Sequence, residues 1–519
     1  MFVAERSKNK QLAINLISSF VAFGTNLLIN FFLSPFVIKR LGISAMGFLG
    51  LSSNIIGYTS IITIALNSMA GRFITIKYQE GNKDEANRYF SSVFFSNLVL
   101  SAVIIIILVV FLFNLDKLFN IPPHLVFDVK ALFAFSILST IVGLLTNVYG
   151  VATFIKNRLE LTSIRQIIGN ILRACTLVIL FGLFPPHLWY YGITGVLMTL
   201  YFSITNYGFT RKLTPEFHLS IKNYDWAKVK ELLSAGVWNV VNRLSGIIGH
   251  GFDLVIANIF INATAMGIFT MSKSVPMHIL GIFGMISGVF SPLFTILWAQ
   301  KKNDELKSEI HKAIRICGFL ANIPLVCLFV FGDSFYKIWL PGQDYKTIQL
   351  LTILGAMNSV ISMPLEPLWN IFTITNKLKI SSITMLGINV LIFLTLMTSM
   401  LFVESLYTRL IILVAASTFW NNVKNIFFLP MYGAYCLGYK KTAFYRPLLK
   451  SVSCFFLEII LCFPLRFIMT IDSWAKLIFI ASLATTICFV INYRISLENN
   501  DRVFIKQKVV NMKNKIPWL

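Results

Sequence analysis

Charged residues are scarce in this sequence. Of its 519 residues only 13% are Asp, Glu, Lys or Arg, whereas 56% are hydrophobic. A soluble protein carries roughly 25% charged residues, because its surface faces water. A chain this apolar would expose too much nonpolar surface in water, whereas lipid accepts such a surface. The composition therefore excludes a soluble globular protein and predicts a membrane protein.

Acidic residues are the scarcest charges, with 22 Asp and Glu against 45 Lys and Arg and a net charge of +23. A basic excess also occurs in nucleic-acid-binding proteins, but here the Lys and Arg lie in short loops between apolar runs rather than on one basic domain. That distribution favours orientation in a membrane and contact with anionic lipid. We therefore expect membrane lipids, and no nucleic acid, among the partners.

Motifs that carry catalysis or hold a cofactor are missing. The seven Cys form no CxxC pair and lie almost entirely in apolar runs, which favours buried free thiols over disulfides or metal ligands. The sequence has no nucleotide-binding loop, metal-ligand spacing or nucleophile–base arrangement. A polymerase or glycosyltransferase normally has a sizeable extramembrane loop, and the longest loop predicted here, residues 209–233, is short. We expect no enzyme, no cofactor and no metal.

Apolar runs long enough to cross a membrane fill most of the chain. A membrane-spanning helix needs about 20 apolar residues, so the sequence predicts an all-α, polytopic transmembrane helical bundle of about 14 helices. Their predicted ranges are 12–36, 43–67, 89–113, 127–153, 162–184, 188–208, 234–260, 264–297, 312–332, 347–373, 378–401, 406–430, 448–469 and 473–493. The run at 264–297 is longer than one span requires, which predicts a tilted or broken helix.

The basic residues predict the orientation of the bundle. Counted together with the four terminal residues of each adjoining span, the N-terminus, every second loop and the C-terminal tail hold 32 Lys and Arg, whereas the intervening loops hold 9. Because cytoplasmic loops are enriched in these residues, both termini are expected in the cytoplasm. That orientation requires an even number of spans. Fourteen is consistent, and twelve would require one weakly apolar pair not to span.

Short motifs from the first half of the sequence recur in the second half, in the same order and at a nearly constant offset. Ser-Ala-Met-Gly at 44–47 corresponds to Thr-Ala-Met-Gly at 264–267, and the polar run 79–85 corresponds to 300–305. Asn-Arg-Leu at 157–159 likewise corresponds to Asn-Lys-Leu at 376–378, with Asn170 and Asn389 in the same register. The shared order and offset indicate an internal duplication.

Six helices per repeat place both halves in the membrane in the same orientation, as in transporters built from parallel repeats. The sequence therefore predicts a six-helix lobe over 1–210, a second six-helix lobe over 211–433, and two extra helices with a basic cytoplasmic tail over 434–519.

This arrangement resembles the multidrug/oligosaccharidyl-lipid/polysaccharide (MOP) exporter superfamily, and within it the Wzx O-antigen and capsule flippases. The likeness covers the whole chain as a pattern of spans and loops. It is strongest from Ile38-Lys39-Arg40-Leu41-Gly42, through Gly47 and Arg72, to Gly81-Asn82-Lys83.

The resemblance implies ion-coupled alternating access in a bacterial cytoplasmic membrane, with an undecaprenyl-pyrophosphate-linked oligosaccharide as substrate. It also suggests a polysaccharide polymerase and a chain-length regulator as partners. The alternative is a cation-coupled multidrug or small-solute exporter of the MATE type. Many of those exporters have an acidic residue in the first helix, where this sequence has Thr25, Asn26 and Asn30 but no carboxylate.

The clearest candidate site is a polar stripe on the seventh predicted span. Ionisable groups in lipid cost several kcal/mol, so they are expected to face a cavity or a partner. At 100° per residue the stripe falls within an arc of about 100°; its members are Asn239, Asn242, Arg243, Gly246, His250 and Asp253. His250 and Asp253 are close enough to exchange a proton. The structural alternative is that Asp253 simply neutralises Lys273 on the next helix.

Four bases and two acids lie inside the predicted twelve-helix core, which favours an anionic pyrophosphate over a cationic drug. We predict that Arg243, Lys273, Arg173, Lys424 and Asn239 bind substrate. Asp253, His250 and Glu366 are the candidates for ion or proton coupling.

Each of the bases outside the stripe, and Glu366, also has a structural explanation. Lys273, close to Pro276, marks either a binding site or a plain kink. The structural alternative for Lys424 is a snorkelling anchor at the cytoplasmic side, and for Arg173 it is a purely structural role. Glu366, between Pro364 and Pro367, has as its alternative the pairing of groups left free where the helix breaks.

Overall fold

The computed structural model describes residues 8–498 and 502, and this part of the chain is helical with no strand. It divides into two compact units, Met1–Gly267 and Ile268–Leu519. The predicted all-α polytopic bundle is confirmed. The predicted boundaries of the three segments, at 210/211 and 433/434, stay a prediction.

Unit 1 contains eleven described helices and the start of a twelfth. They are α1 (Lys8–Leu41), α2 (Ile43–Tyr58), α3 (Ser60–Gln79), α4 (Lys83–Phe113), α5 (Leu115–Leu118), α6 (Val126–Thr146), α7 (Val151–Ile155), α8 (Leu159–Leu183), α9 (Tyr190–Leu213), α10 (Trp226–His250), α11 (Phe252–Phe260) and α12 (Ala263–Ala299).

Unit 2 contains the rest of α12 and eight further described helices. They are α13 (Asn303–Trp339), α14 (Tyr345–Leu365), α15 (Trp369–Ile374), α16 (Leu378–Phe402), α17 (Leu406–Val423), α18 (Leu429–Leu437), α19 (Tyr445–Cys462) and α20 (Trp474–Ile495). A 3₁₀ turn joins α14 to α15, and a π-helical turn joins α17 to α18.

Twelve described helical stretches are long and apolar enough to cross a membrane, and the bent pair α2 and α3 makes thirteen. The remaining predicted span, 188–208, corresponds to α9. This helix has 24 residues, more than the roughly 20 that a bilayer crossing needs. Its Tyr, Thr, Ser and Asn side chains make it less apolar than the other thirteen.

Three predicted spans differ in shape from the structure. The second continues to Gln79 and bends by 62° between α2 and α3, and the seventh is interrupted at Gly251, between α10 and α11. The overlong eighth span is one continuous helix, α12, although it contains Pro276 and Pro292. Interruptions therefore occur at α2–α3, which bends strongly, and at Gly251 between α10 and α11, and not in the run whose length suggested a break.

The internal repeat is visible in the backbone of the loops. Gly81 and Lys301, each the second residue after its helix (α3 and α12), both adopt positive φ (83° and 58°). Asn157 and Asn376, which correspond in the Asn-Arg-Leu and Asn-Lys-Leu motifs, do so as well (50° and 53°). Left-handed backbone is uncommon for residues other than glycine, so three such residues at repeat-related positions indicate a shared loop structure.

All four loops also close with the same hydrogen bonds. The residue after each left-handed position donates its N–H to the carbonyl five residues earlier, as Arg158 does to Thr153 (2.8 Å) and Lys377 does to Phe372 (2.9 Å). Asn82 to Lys77 (3.1 Å) and Lys302 to Leu297 (3.0 Å) complete the set. This is the Schellman motif, which satisfies carbonyls left free where a helix ends.

The loop between α9 and α10 packs against its own unit. Phe217 stacks on Phe90 with ring centroids 5.0 Å apart, and the N–H of His218 donates to Asn87 Oδ1 (3.1 Å). Lys83 Nζ lies 2.5 Å from Glu216 Oε1, and this hydrogen bond holds the pKa of Glu216 below its usual range. The longest loop predicted from the sequence is therefore an ordered cover over α4.

We predict that Asn157→Ala and Asn376→Ala each destabilise the protein by about 1 kcal/mol, because alanine tolerates left-handed backbone less well than asparagine. Asn376→Gly should be neutral, and Asn157→Gly should cost less than Asn157→Ala, since both variants lose the hydrogen bond from Asn15 Nδ2 to Asn157 Oδ1 (3.1 Å). The melting temperature of the purified protein in detergent measures both effects. Asn114→Ala, at a helix end with a φ of −99°, is the matched control. Equal effects of Ala and Gly would contradict the prediction.

Candidate functional site

The polar stripe predicted on the seventh span faces the bent pair α2–α3. Arg243, on α10, donates from Nε to Ser60 Oγ (2.5 Å) and from Nη2 to the carbonyl of Gly57 (3.0 Å). About one helical turn earlier on α10, Asn239 donates from Nδ2 to Ser68 Oγ (2.9 Å) on α3. Both side chains therefore bind the kinked helix rather than an apolar surface.

The bend between α2 and α3 leaves carbonyl groups without their helical partners. The N–H of Thr59 bonds to the carbonyl of Ile56 (3.1 Å) instead of the carbonyl four residues earlier. The carbonyl of Gly57 accepts from the hydroxyl of Ser60 (2.6 Å) as well as from Arg243. A backbone carbonyl in hydrocarbon needs such a donor, because water is absent there. Arg243 thus stabilises the break in the second span.

The break in the seventh span is stabilised in return by α2. The carbonyl of Gly251 accepts from the hydroxyl of Tyr58 (2.7 Å) and from Nδ2 of Asn54 (3.2 Å). A Cβ at Gly251 would lie 2.8 Å from the Tyr58 ring and 2.7 Å from the carbonyl of Ile247, so glycine is needed there. Tyr58 also stacks on Phe252, with ring centroids 5.6 Å apart. The two breaks hold each other through reciprocal hydrogen bonds.

Arg243 keeps binding capacity beyond these contacts. A guanidinium has five N–H donors, and two of those of Arg243 are used by Ser60 and Gly57. The side chain is exposed. Broken helices near the middle of the membrane commonly form transporter binding sites, because their free backbone groups line a cavity. We define the double-break site as Asn54, Gly57, Tyr58, Ser60, Arg243 and Gly251.

Asp253 lies just beyond this site, in the first turn of α11, and is 5% exposed. Its Oδ1 accepts from the N–H of Leu254 (2.7 Å), a favourable position because the N-terminal end of a helix attracts negative charge. The side chain of His250, the predicted proton-exchange partner of Asp253, lies outside the described residues. The predicted coupling role of this pair stays a prediction.

Arg173 lies elsewhere in unit 1, in a cavity of about 170 Å³ between α8 and α9. Its guanidinium is 5.5 Å from the ring centroid of Tyr191, and its Nε has no hydrogen-bond partner in the part of the chain that the structure describes. The cavity is lined by Gly169, Leu172, Arg173, Thr176, Thr194, Leu197, Met198 and Tyr201. No α10 residue is among them, so Arg243 does not line this cavity.

In unit 2, Lys424 and Glu366 interact electrostatically with each other. Lys424 starts the π-helical turn after α17, is 9% exposed, and donates from Nζ to Asn421 Oδ1 (2.9 Å). Glu366 starts the 3₁₀ turn after α14. The sequence assigned Lys424 to substrate and Glu366 to ion coupling; the two charges are close enough to interact, although no direct ion pair or hydrogen bond joins them.

Lys273 lies on α12, with its Nζ 4.9 Å from the ring centroid of Phe269. Pro276 has no N–H for the carbonyl of Ser272, four residues earlier. The hydroxyl of Thr352, on α14, donates to that carbonyl instead (3.2 Å). This replacement donor explains how α12 continues through a proline that the sequence marked as a hinge or a kink.

The sequence analysis did not identify Asn54, Gly57, Tyr58 and Ser60, which belong to the double-break site. The pattern that marks them is Gly-Tyr-Thr-Ser at 57–60 in the middle of an apolar run. Glycine and hydroxyl residues there favour an interruption, but no sequence pattern identifies Arg243 as the donor to the freed carbonyl.

The chain is similar to known membrane proteins along most of its length. The model of a family described as polysaccharide biosynthesis protein matches residues 41–348. A relative, the uncharacterized membrane protein EpsK of Bacillus subtilis (strain 168), is 29% identical over 471 residues, which are 90% of this chain and 92% of EpsK.

Two solved structures share the fold at low sequence identity. The lipid II flippase MurJ, in an inward closed conformation, has a TM-score of 0.68 at 14% identity, covering 93% of this chain and 99% of MurJ. An inward-facing multidrug resistance MATE family transporter of the MOP superfamily has a TM-score of 0.65 at 13% identity, covering 82% of this chain and 97% of the transporter.

The fold is therefore the one found in MOP-superfamily membrane proteins, in agreement with the resemblance noted from the sequence. Because the family model matches more than half of its length, this chain belongs to the polysaccharide biosynthesis protein family.

We predict that Glu366 and Lys424 are energetically coupled. Glu366→Gln or Lys424→Met alone leaves one ionisable group without its opposite charge in a low-dielectric interior, and each should destabilise the protein. The double variant should recover about 1 kcal/mol of the summed loss. Thermal unfolding of the two single variants and the double variant measures this coupling. Lys424→Met combined with Glu404→Gln, an exposed carboxylate, is the control; additive losses in both double variants would exclude the coupling.

Proposed function

We propose that this protein is a flippase that translocates an undecaprenyl-pyrophosphate-linked oligosaccharide, such as an O-antigen, capsule or exopolysaccharide repeat unit, across the bacterial cytoplasmic membrane. Family membership and fold support a transporter of lipid-linked sugar. We assign the pyrophosphate of this substrate to the double-break site. The proposed mode of transport is ion-coupled alternating access.

The observation that carries the proposal is the exposed guanidinium of Arg243, held at the break between α2 and α3. Ser60 and Gly57 fix the guanidinium through two donors, so its orientation is set before a ligand arrives. The remaining N–H donors match the oxygens of a phosphate, which arginine binds bidentately. In a low-dielectric site this attraction is stronger than in water.

The arrangement suits an anionic substrate better than a cationic drug. In the described part of the first span, Asn30 donates to Asn26, and the sequence from 8 to 41 contains no carboxylate. Ion coupling is therefore assigned to carboxylates further along the chain, with Asp253 and Glu366 as the candidates. A polysaccharide polymerase and a chain-length regulator are proposed partners of the pathway.

We predict that deletion of the gene in its host abolishes surface polysaccharide and leads to accumulation of lipid-linked repeat units. Wild type should restore the polymer, and Arg243→Ala should restore it at least tenfold less well at equal membrane abundance. Arg243→Lys should be intermediate, because an ammonium keeps the charge but cannot hold Ser60, Gly57 and a phosphate together. Arg211→Ala, which removes an exposed guanidinium bonded to Tyr207 on α9, is the control and should restore fully.

The same strains separate the flippase from the drug exporter. Unchanged polysaccharide together with increased drug sensitivity in the deletion strain would overturn the flippase proposal in favour of a MATE-type exporter. Full restoration by Arg243→Ala would keep the flippase but remove Arg243 from its mechanism.

We also predict that both termini are cytoplasmic, because basic residues are concentrated in the loops on that side. A green fluorescent protein fused after Leu519 should be fluorescent, and alkaline phosphatase fused there should be inactive. The matched control is fusion within the 184–189 loop between α8 and α9, where the phosphatase should be active. The reverse pattern would contradict the orientation.

A further inference from the structure

A buried polar cluster joins α13, α19 and α20 in unit 2, apart from the double-break site. Its members are Asn322 on α13, Ser451 and Glu458 on α19, and Asn492 on α20, each with 0% of its surface exposed. Around them the helices pack with apolar side chains such as Val326, Phe455 and Ile480. A carboxyl group so far from water needs an explanation, since burial of a charge is costly unless it is paired.

Amide groups connect the members of this cluster across the three helices. Asn492 donates from Nδ2 to Glu458 Oε1 (2.5 Å). Asn322 donates from Nδ2 to Asn492 Oδ1 (3.2 Å) and to the carbonyl of Ser451 (3.0 Å). The amide nitrogens are thus all used within the cluster.

Several oxygen atoms of the cluster lack a hydrogen-bond partner. Glu458 Oε2, Asn322 Oδ1, Ser451 Oγ and Ser496 Oγ are buried and have no hydrogen-bond partner among the described residues. The carboxylate and amide oxygens among them can only accept hydrogen bonds, unless a proton is added to Glu458. A proton on Glu458 Oε2 supplies one missing donor, and the hydroxyls of Ser451 and Ser496 can donate as well as accept.

No positive charge compensates Glu458 within the described part of the chain, since no ion pair includes it. Three cationic side chains on or next to these helices pair with other carboxylates: Arg466 with Asp333, and Arg315 and Lys450 with Glu498. The ionisable groups that interact electrostatically with Glu458 are thiols. They are those of Cys488 and Cys462 and those of Cys327 and Cys454. A neutral carboxyl is the form that this environment favours.

The cluster extends toward the end of unit 2 where α19 begins and α20 ends. Ser451 lies seven residues, about two helical turns, before Glu458 on α19, and Ser496 directly follows α20. Beyond them, Glu498 is half-exposed and accepts ion pairs from Arg315 (3.2 Å) and Lys450 (3.7 Å). The orphan oxygens therefore lie between Glu458 and an aqueous end of the helices.

We propose that Glu458 is a proton-binding site inside the membrane, which exchanges its proton with water at this end of α19 and α20 through Asn492, Asn322, Ser451 and Ser496. On release the Oε2–H bond breaks, the electron pair stays on the carboxylate, and the proton passes to water in the path. The carboxylate keeps the Asn492 hydrogen bond. Glu458 itself lies outside the two predicted six-helix repeats, and the site is independent of the substrate proposed for Arg243.

The test is infrared difference spectroscopy of the protein in lipid, in potassium buffers, comparing wild type with Glu458→Gln and the exposed-site control Glu404→Gln. The C=O stretch of a protonated carboxylic acid should be present at pH 7 in wild type and Glu404→Gln and absent in Glu458→Gln. Raising the pH should convert it to carboxylate absorption. If Glu458→Gln does not fold, Glu458→Asp keeps the carboxyl and should shift the band, which gives the same assignment.

A spectrum without an acid band from Glu458 at pH 7 would overturn the proposal. So would loss of that band when sodium replaces potassium, because the site would then bind a metal cation in place of the proton. In D₂O the wild-type band should shift as the acid deuterates, and Asn322→Leu should slow that shift at least tenfold. Equal rates in the two proteins would overturn the assigned path.

Discussion

The requirement that every backbone polar group in hydrocarbon has a partner governs this structure. A continuous helix meets it internally, but an interrupted helix does not, because lipid offers no donors to a freed carbonyl. At three of the interruptions and prolines discussed above, a side chain from another helix supplies a donor: Arg243 for Gly57, Tyr58 for Gly251, and Thr352 for Ser272. The breaks are therefore sites of tertiary contact rather than weak points.

The same requirement explains where the few charged groups inside the spans lie. Arg243 lies where a carbonyl needs a donor, and Glu366 and Lys424 occupy the irregular turns that interrupt their own spans. Glu458 lies among amides and thiols without a cation. A charge on any of these groups costs free energy in lipid. A backbone partner offsets that cost for Arg243, an opposite charge offsets it for Glu366 and Lys424, and a bound proton offsets it for Glu458. The first is the site we assign to a pyrophosphate, and the last is the proposed proton site.

The repeat could be predicted from the sequence because its loops depend on local chemistry. Gly81, Asn157 and Asn376 are residues that tolerate left-handed backbone, and the helix ends that need them recur at corresponding positions. Lys301 shows the limit of that reasoning. It occupies the position of Gly81 with the same conformation, although a lysine there does not predict positive φ, so the fold imposes the conformation.

The sequence by itself determined the all-helical membrane fold, the approximate spans, the duplication and the residues able to carry charge inside the membrane. These follow from hydropathy and helical periodicity, which are local properties. Only the tertiary structure decided that interruptions fall at α2–α3 and α10–α11, that the cavity of Arg173 is not lined by Arg243, and that Glu366 lies near Lys424. Such pairings join residues as far apart as Gly57 and Arg243. They depend on which helix faces pack together, and hydropathy does not encode that choice because lipid and protein interiors are similarly apolar.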